Sequence, residues 1–78
     1  MNLEKYNNAF TTSLDITDDL LGEQLVYQSI QAWDSVGHMT LIAAIEDAFD
    51  IMMDTEDIID LSSYEKGKEI MKKYEIEM

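Results

Sequence analysis

The sequence contains no cysteine, no proline and no arginine, and it has one histidine and three glycines. Without cysteine, neither a disulfide nor a thiolate metal site can staple so small a chain. The lack of proline and scarcity of glycine remove the two residues that most often interrupt helices. One histidine, no thiol and no glycine-rich phosphate loop leave little equipment for catalysis, so an enzyme is not expected. No apolar run is long enough to cross a bilayer. The opening Met1-Asn2-Leu3-Glu4-Lys5 lacks the basic-then-apolar layout of a signal peptide. A soluble cytoplasmic protein without membrane insertion is therefore expected.

Basic residues are scarce as well. Seventeen acids stand against five lysines, a formal net charge of −12. A nucleic-acid backbone would be repelled rather than bound. A field of this sign favours partners with basic patches and speeds encounter with them. The 78 residues, 46% of them hydrophobic, predict one domain, 1–78, that folds as a monomer. A chain of this size buries only about 60–65% of its unfolded surface, which leaves a thin stability margin.

What is present reads as helix. Leu3, Tyr6, Phe10 and Leu14 recur at helical spacing, with Asn2 as the expected N-cap. Residues 15–34 have no sustained period, yet Leu20, Leu21, Leu25, Tyr27, Ile30 and Trp33 predict a segment pinned across the core, with a short helical turn from Asp18 ended by Gly22. A second helix is expected from Ser35 to Asp50. Leu41, Ala44, Ile45, Ala48 and Phe49 form its core stripe. Val36, Met39, Ala43, Glu46, Asp47 and Asp50 share the opposite side, with Ile42 on its flank, a face that reads either as a contact surface or as the scattered apolar exposure normal on proteins. After an extended link, Asp54 is the expected cap of a short helix from Thr55 to Leu61, whose Glu56 and Asp57 suit the positive end of its dipole. Ser62 and Glu65 form a capping box for a last helix reaching Ile76, with Tyr64, Gly67, Ile70, Met71 and Tyr74 inward. Gly67 predicts close approach of a neighbouring backbone.

Two candidate sites fail on chemistry. Asp15 to Leu20 alternates ligand-like oxygens, but an EF-hand requires glycine where Leu20 stands and glutamate where Val26 stands. No metal site is expected. His38 lies one turn beyond Ser35, but no third group orients it as a base, and its angle places it on the core side as a packed histidine. Ser35 itself has the ordinary reading of a helix N-cap. A phosphate ester there would nevertheless sit where the helix dipole and free N–H groups favour an anion.

Asp34-Ser35-Val36 at the head of the second helix, followed by Leu41-Ile42-Ala43-Ala44-Ile45-Glu46-Asp47-Ala48-Phe49 and Ile51, resembles the acyl carrier proteins over essentially the whole chain. The resemblance implies an all-α, up-and-down four-helix bundle with a short third helix and a long loop between the first two. It implies phosphopantetheine, taken from coenzyme A and attached at Ser35 by a carrier-protein synthase that Asp34 helps to recruit. Acyl-activating and acyl-transferring enzymes with basic docking patches would grip Val36, Met39, Ala43, Glu46, Asp47, Glu56 and Asp57. A cargo cavity lined by Leu41, Ile45, Phe49 and Ile59 is implied, against the alternative that these residues close the core. Val36 replaces the commoner leucine, and Gly37 and Thr40 stand where fatty-acid carriers are often acidic. Trp33 and His38 are more similar to specialised stand-alone carriers. The alternatives are an aminoacyl or peptidyl carrier, or an acidic adaptor with no covalent cargo.

Self-repulsion within a chain of this charge should be relieved by screening. Added salt or magnesium is expected to raise the melting midpoint, and an unchanged midpoint would show that repulsion does not strain the fold.

Overall fold

The structure, a computed structural model, describes residues 2–77. Four α-helices follow in order: α1 (Asn2–Leu14), α2 (Ser35–Phe49), α3 (Thr55–Asp60) and α4 (Tyr64–Lys73), with a 3-10 turn at Asp18–Leu20. No strand is present among the described residues, only an isolated antiparallel bridge between Val26 and Ser63. No helix of the described residues is long and apolar enough to cross a membrane.

Helix α1 buries Tyr6, Ala9, Phe10 and Leu14 and packs against α2. Leu3, expected inward, is exposed, and Ala9 takes the buried place on that face. Asn2 does not cap the helix from outside: it is itself helical, and its Nδ2 donates to the Glu77 carbonyl. In α2, Leu41 and Ile45 are fully buried as the stripe requires. Ile42 is buried beside them rather than lying on a flank, so the covered arc is wider than one stripe.

An aromatic cluster joins α1 to the long loop and to α4. Ring centroids lie 4.9 Å apart for Tyr6 and Phe10, 5.3 Å for Phe10 and Tyr64, and 5.6 Å for Phe10 and Trp33, the last two edge-on. Such pairs add about 0.5–1.5 kcal/mol each beyond burial. The Tyr6 hydroxyl donates to the Tyr64 carbonyl at 2.6 Å, and burial holds the phenol far above its ordinary pKa. Gly67 is required here because a Cβ would run into that same Tyr6 hydroxyl and lie 2.7 Å from Leu61 Cδ1. The close neighbour is a side chain, where the sequence suggested backbone.

The loop is pinned as expected. Leu25 and Trp33 are buried, although Leu20 is exposed. Tyr27 N–H donates to the Ser62 carbonyl at 2.8 Å, and Tyr64 N–H to the Leu25 carbonyl at 2.9 Å. This pairing holds Ser63 extended, so α4 begins one residue later than the capping box predicted. Ser63 Oγ, not Ser62, accepts from Lys66 N–H at 2.9 Å. The helix also ends earlier, at Lys73, with Glu75 in the left-handed region at φ 63°.

Helix α3 has six residues, too few to persist alone. Asp54 stands at its N-cap position without a side-chain capping bond. Asp57 is buried, and its carboxylate accepts from Lys73 Nζ at 2.6 Å and Tyr74 Oη at 2.5 Å. Hydrogen bonding from Lys73, then from Tyr74, holds its carboxyl below the ordinary range, while the same Asp57 contact raises Lys73.

A depressed carboxyl pKa stabilises the fold above the unfolded value of about 4 and ceases to do so as pH falls through the folded value. The raised Lys73 contributes below its unfolded value of about 10.4 and loses that contribution as pH rises through its folded one. Asp57→Asn should therefore lower the melting midpoint at pH 7, and its deficit against wild type should shrink between pH 5 and pH 3. A deficit that stays constant across that range would separate Asp57 from the acid response.

Candidate functional site

Asp34, not Ser35, caps α2. Asp34 is extended (φ −105°, ψ −166°), and its Oδ1 accepts from Gly37 N–H at 2.9 Å. Its carbonyl takes the first helical bond, from His38 N–H at 2.8 Å. Ser35 is thus the first helical residue, and its side chain is not needed to satisfy the helix terminus. Ser35 is exposed, and among the described residues its hydroxyl makes one long contact, with the Tyr27 hydroxyl at 3.4 Å. Gly37 permits this start, because a Cβ there would run into the Ala32 carbonyl.

His38 is half-buried and oriented from both sides. Trp33 Nε1–H donates to His38 Nδ1 at 3.0 Å, so Nδ1 is the unprotonated nitrogen. The other nitrogen, Nε2–H, then donates to the Ile58 carbonyl at 2.8 Å. The imidazole also stacks on the indole, with ring planes 16° apart. Both nitrogens are engaged, so His38 is the packed histidine expected and not a base for Ser35.

Beside Ser35, a groove of about 350 Å³ runs along the seam of α2 and α3, where Tyr27, Ser35, Met39 and Ile59 meet His38 and Leu61. The cavity implied from Leu41, Ile45, Phe49 and Ile59 is not formed by those residues together. Leu41 and Ile45 are fully buried, whereas Ile59 is 74% exposed. They belong respectively to the closed core and to the outer lip of the groove.

The residues of the expected contact face divide in the same way. Val36 and Met39 are 76% and 58% exposed, and Ala43, Asp47 and Glu56 are exposed with them. Glu46 is half-buried, and its Oε2 accepts from Met53 N–H at 2.9 Å. Asp57 is turned inward to Lys73 and Tyr74, so its carboxylate is not on the surface. Met52 and Ile59 are exposed apolar residues that the sequence reading did not place on this face. The adjacent pair Ile58-Ile59 was the available signal for Ile59, since consecutive residues lie about 100° apart and a six-residue helix covered on a narrow arc leaves one of them outside.

The residues around Ser35 fit an anionic ester. Among the described residues no acceptor is paired with the backbone N–H of Ser35 or Val36. The first turn of α2 carries no acidic side chain, and the neighbouring Asp34 carboxylate is engaged on Gly37 N–H as the cap. The dipole at that end favours negative charge. No group of three histidine or acidic side chains among the described residues is arranged to hold a metal ion. Compared with protein-family models, curated proteins and solved structures, the chain shows no significant match.

Because the cap is Asp34, Asp34→Ala should cost about 0.5–2 kcal/mol in urea unfolding. Ser35→Ala should stay within about 0.5 kcal/mol of wild type, as surface substitutions do. A larger loss at Ser35 than at Asp34 would return the capping role to the serine.

Proposed function

We propose that this chain is a non-catalytic acyl carrier, a four-helix carrier bundle whose Ser35 hydroxyl receives phosphopantetheine from coenzyme A. The observation that carries this reading is Ser35 itself: exposed, released from capping by Asp34, and set on the first turn of α2 beside an apolar groove. The resemblance of Asp34-Ser35-Val36 and the helix behind it to the acyl carrier proteins supports the same assignment.

Each neighbouring residue then has a task. Asp34 fixes the start of the helix, so the serine is presented at a set position before any group is joined to it. The unpaired N–H groups of Ser35 and Val36 would be available to an anionic ester at this end of the helix. Phosphopantetheine would supply the thiol that this cysteine-free chain lacks, and thereby a thioester tether. Tethering raises the effective concentration of a cargo at each successive enzyme. Val36, Met39 and Ala43 with Asp47 and Glu56 would form the contact surface for a carrier-protein synthase and for acyl-handling enzymes. Their basic patches would be drawn by the net charge of −12. A cytoplasmic protein is the reading that goes with this work.

Intact-protein mass after incubation with coenzyme A, magnesium and a broad-specificity carrier-protein synthase tests the assignment. One phosphopantetheine is expected on the wild type and none on Ser35→Ala. A folded wild type that gains no mass from an active synthase would favour an acidic adaptor that docks on basic partners without covalent cargo.

A further inference from the structure

We infer that the group carried on Ser35 is a short acyl group that stays in the surface groove, because His38 ties shut the seam through which a long chain would enter the interior. The inference rests on the carrier reading above and concerns what kind of cargo that carrier accommodates. Ser35 and His38 are one turn apart on α2 and line the same groove. His38 is fixed in place by the fully buried Trp33 on one side and by the Ile58 carbonyl of α3 on the other. Moving it aside would strip the indole N–H of its acceptor and α2 of its hydrogen bond to α3, leaving polar groups unpaired in a part-buried place.

Beyond that tie the described core residues are closely covered. Leu41 and Ile45 are fully buried, and Leu61 is 1% exposed. Close-packed side chains of this kind admit a chain only by parting. The groove outside the tie, at about 350 Å³, lies near the small end of ligand pockets, about 300–1,000 Å³. Its lining is mainly apolar, with Met39, Ile58, Ile59 and Leu61 beside Tyr27 and Ser62. A few carbons match that lining. A long alkyl chain would lie across it with its far end in water.

The test loads the protein from acetyl-, butyryl- and octanoyl-coenzyme A with a broad-specificity synthase, verifies each product by intact mass, and follows thioester cleavage by hydroxylamine. Cleavage rates for the three cargoes are expected to agree within about twofold, as they must when a buried state is no more populated than the exposed one. The octanoyl form is expected to melt no higher than the acetyl form. A His38→Ala variant that keeps its helical circular dichroism should cleave octanoyl more slowly relative to acetyl than wild type does. Protection that grows progressively with chain length in the wild type, or a higher melting point for its octanoyl form, would overturn the inference while leaving the carrier assignment in place. An unchanged octanoyl-to-acetyl ratio in the variant would remove His38 from the role. No mass gain from any of the three thioesters would overturn the carrier reading and this inference with it. If His38→Ala does not fold, the wild-type series decides by itself.

Discussion

The arrangement around Ser35 depends on a hydrogen-bonded relay from the Trp33 indole through the His38 ring to the Ile58 carbonyl. It connects three parts of the chain: the end of the long loop, the first turns of α2 and the middle of α3. Each member is committed. The indole N–H can only donate, which leaves Nδ1 to accept and assigns the remaining ring proton to the Ile58 carbonyl. Among the described residues, no buried side-chain polar atom lacks a partner. A network satisfied in this way rigidifies the place where it sits.

Helix α3 shows how much this matters. Six residues cannot hold a helix in water, so its existence is a tertiary property. Five polar ties surround it: His38 to Ile58, Lys73 and Tyr74 to Asp57, Asp54 N–H to Tyr74 Oη at 2.9 Å, and Met53 N–H to Glu46 just before it. Apolar burial contributes chiefly through Leu61 at its end. The seam between α2 and α3 is therefore held by directional bonds from His38 to Ile58 and from Glu46 to Met53, while Lys73 and Tyr74 hold α3 from its other side. The groove beside Ser35 keeps its shape for that reason.

Periodicity in the sequence was enough to find α1 and α2, because each buries a stripe whose spacing is local information. The turn at Asp18 and the start of α3 near Asp54 were also legible from local chemistry. What was not legible required knowing which distant segment lies opposite. Glu65 makes Ser62 the better cap by sequence, and the pairing of Val26 with Ser63 overrides that local preference. Asp57 has the sequence signature of a helix-dipole acid, and nothing nearby in the chain announces Lys73 and Tyr74 as its partners. Ser35 and Asp34 are likewise adjacent residues that both cap well, and the backbone geometry at Asp34 resolves them. The histidine's place was correctly read from its angle, but its bond to Ile58, twenty residues away, was not.

The contact between Asn2 Nδ2 and the Glu77 carbonyl, at 2.9 Å, has a topological consequence. Two residues 75 positions apart in the chain lie side by side, so the described polypeptide forms a nearly closed circuit. Its ends could be joined by a short linker and the chain reopened at an exposed loop, such as that containing Glu23 and Gln24, without drawing any helix from its neighbours. The same closure would let the fold be inserted into a surface loop of a host protein while separating the host's flanking residues very little. Connectivity, for this molecule, is a weaker constraint than adjacency.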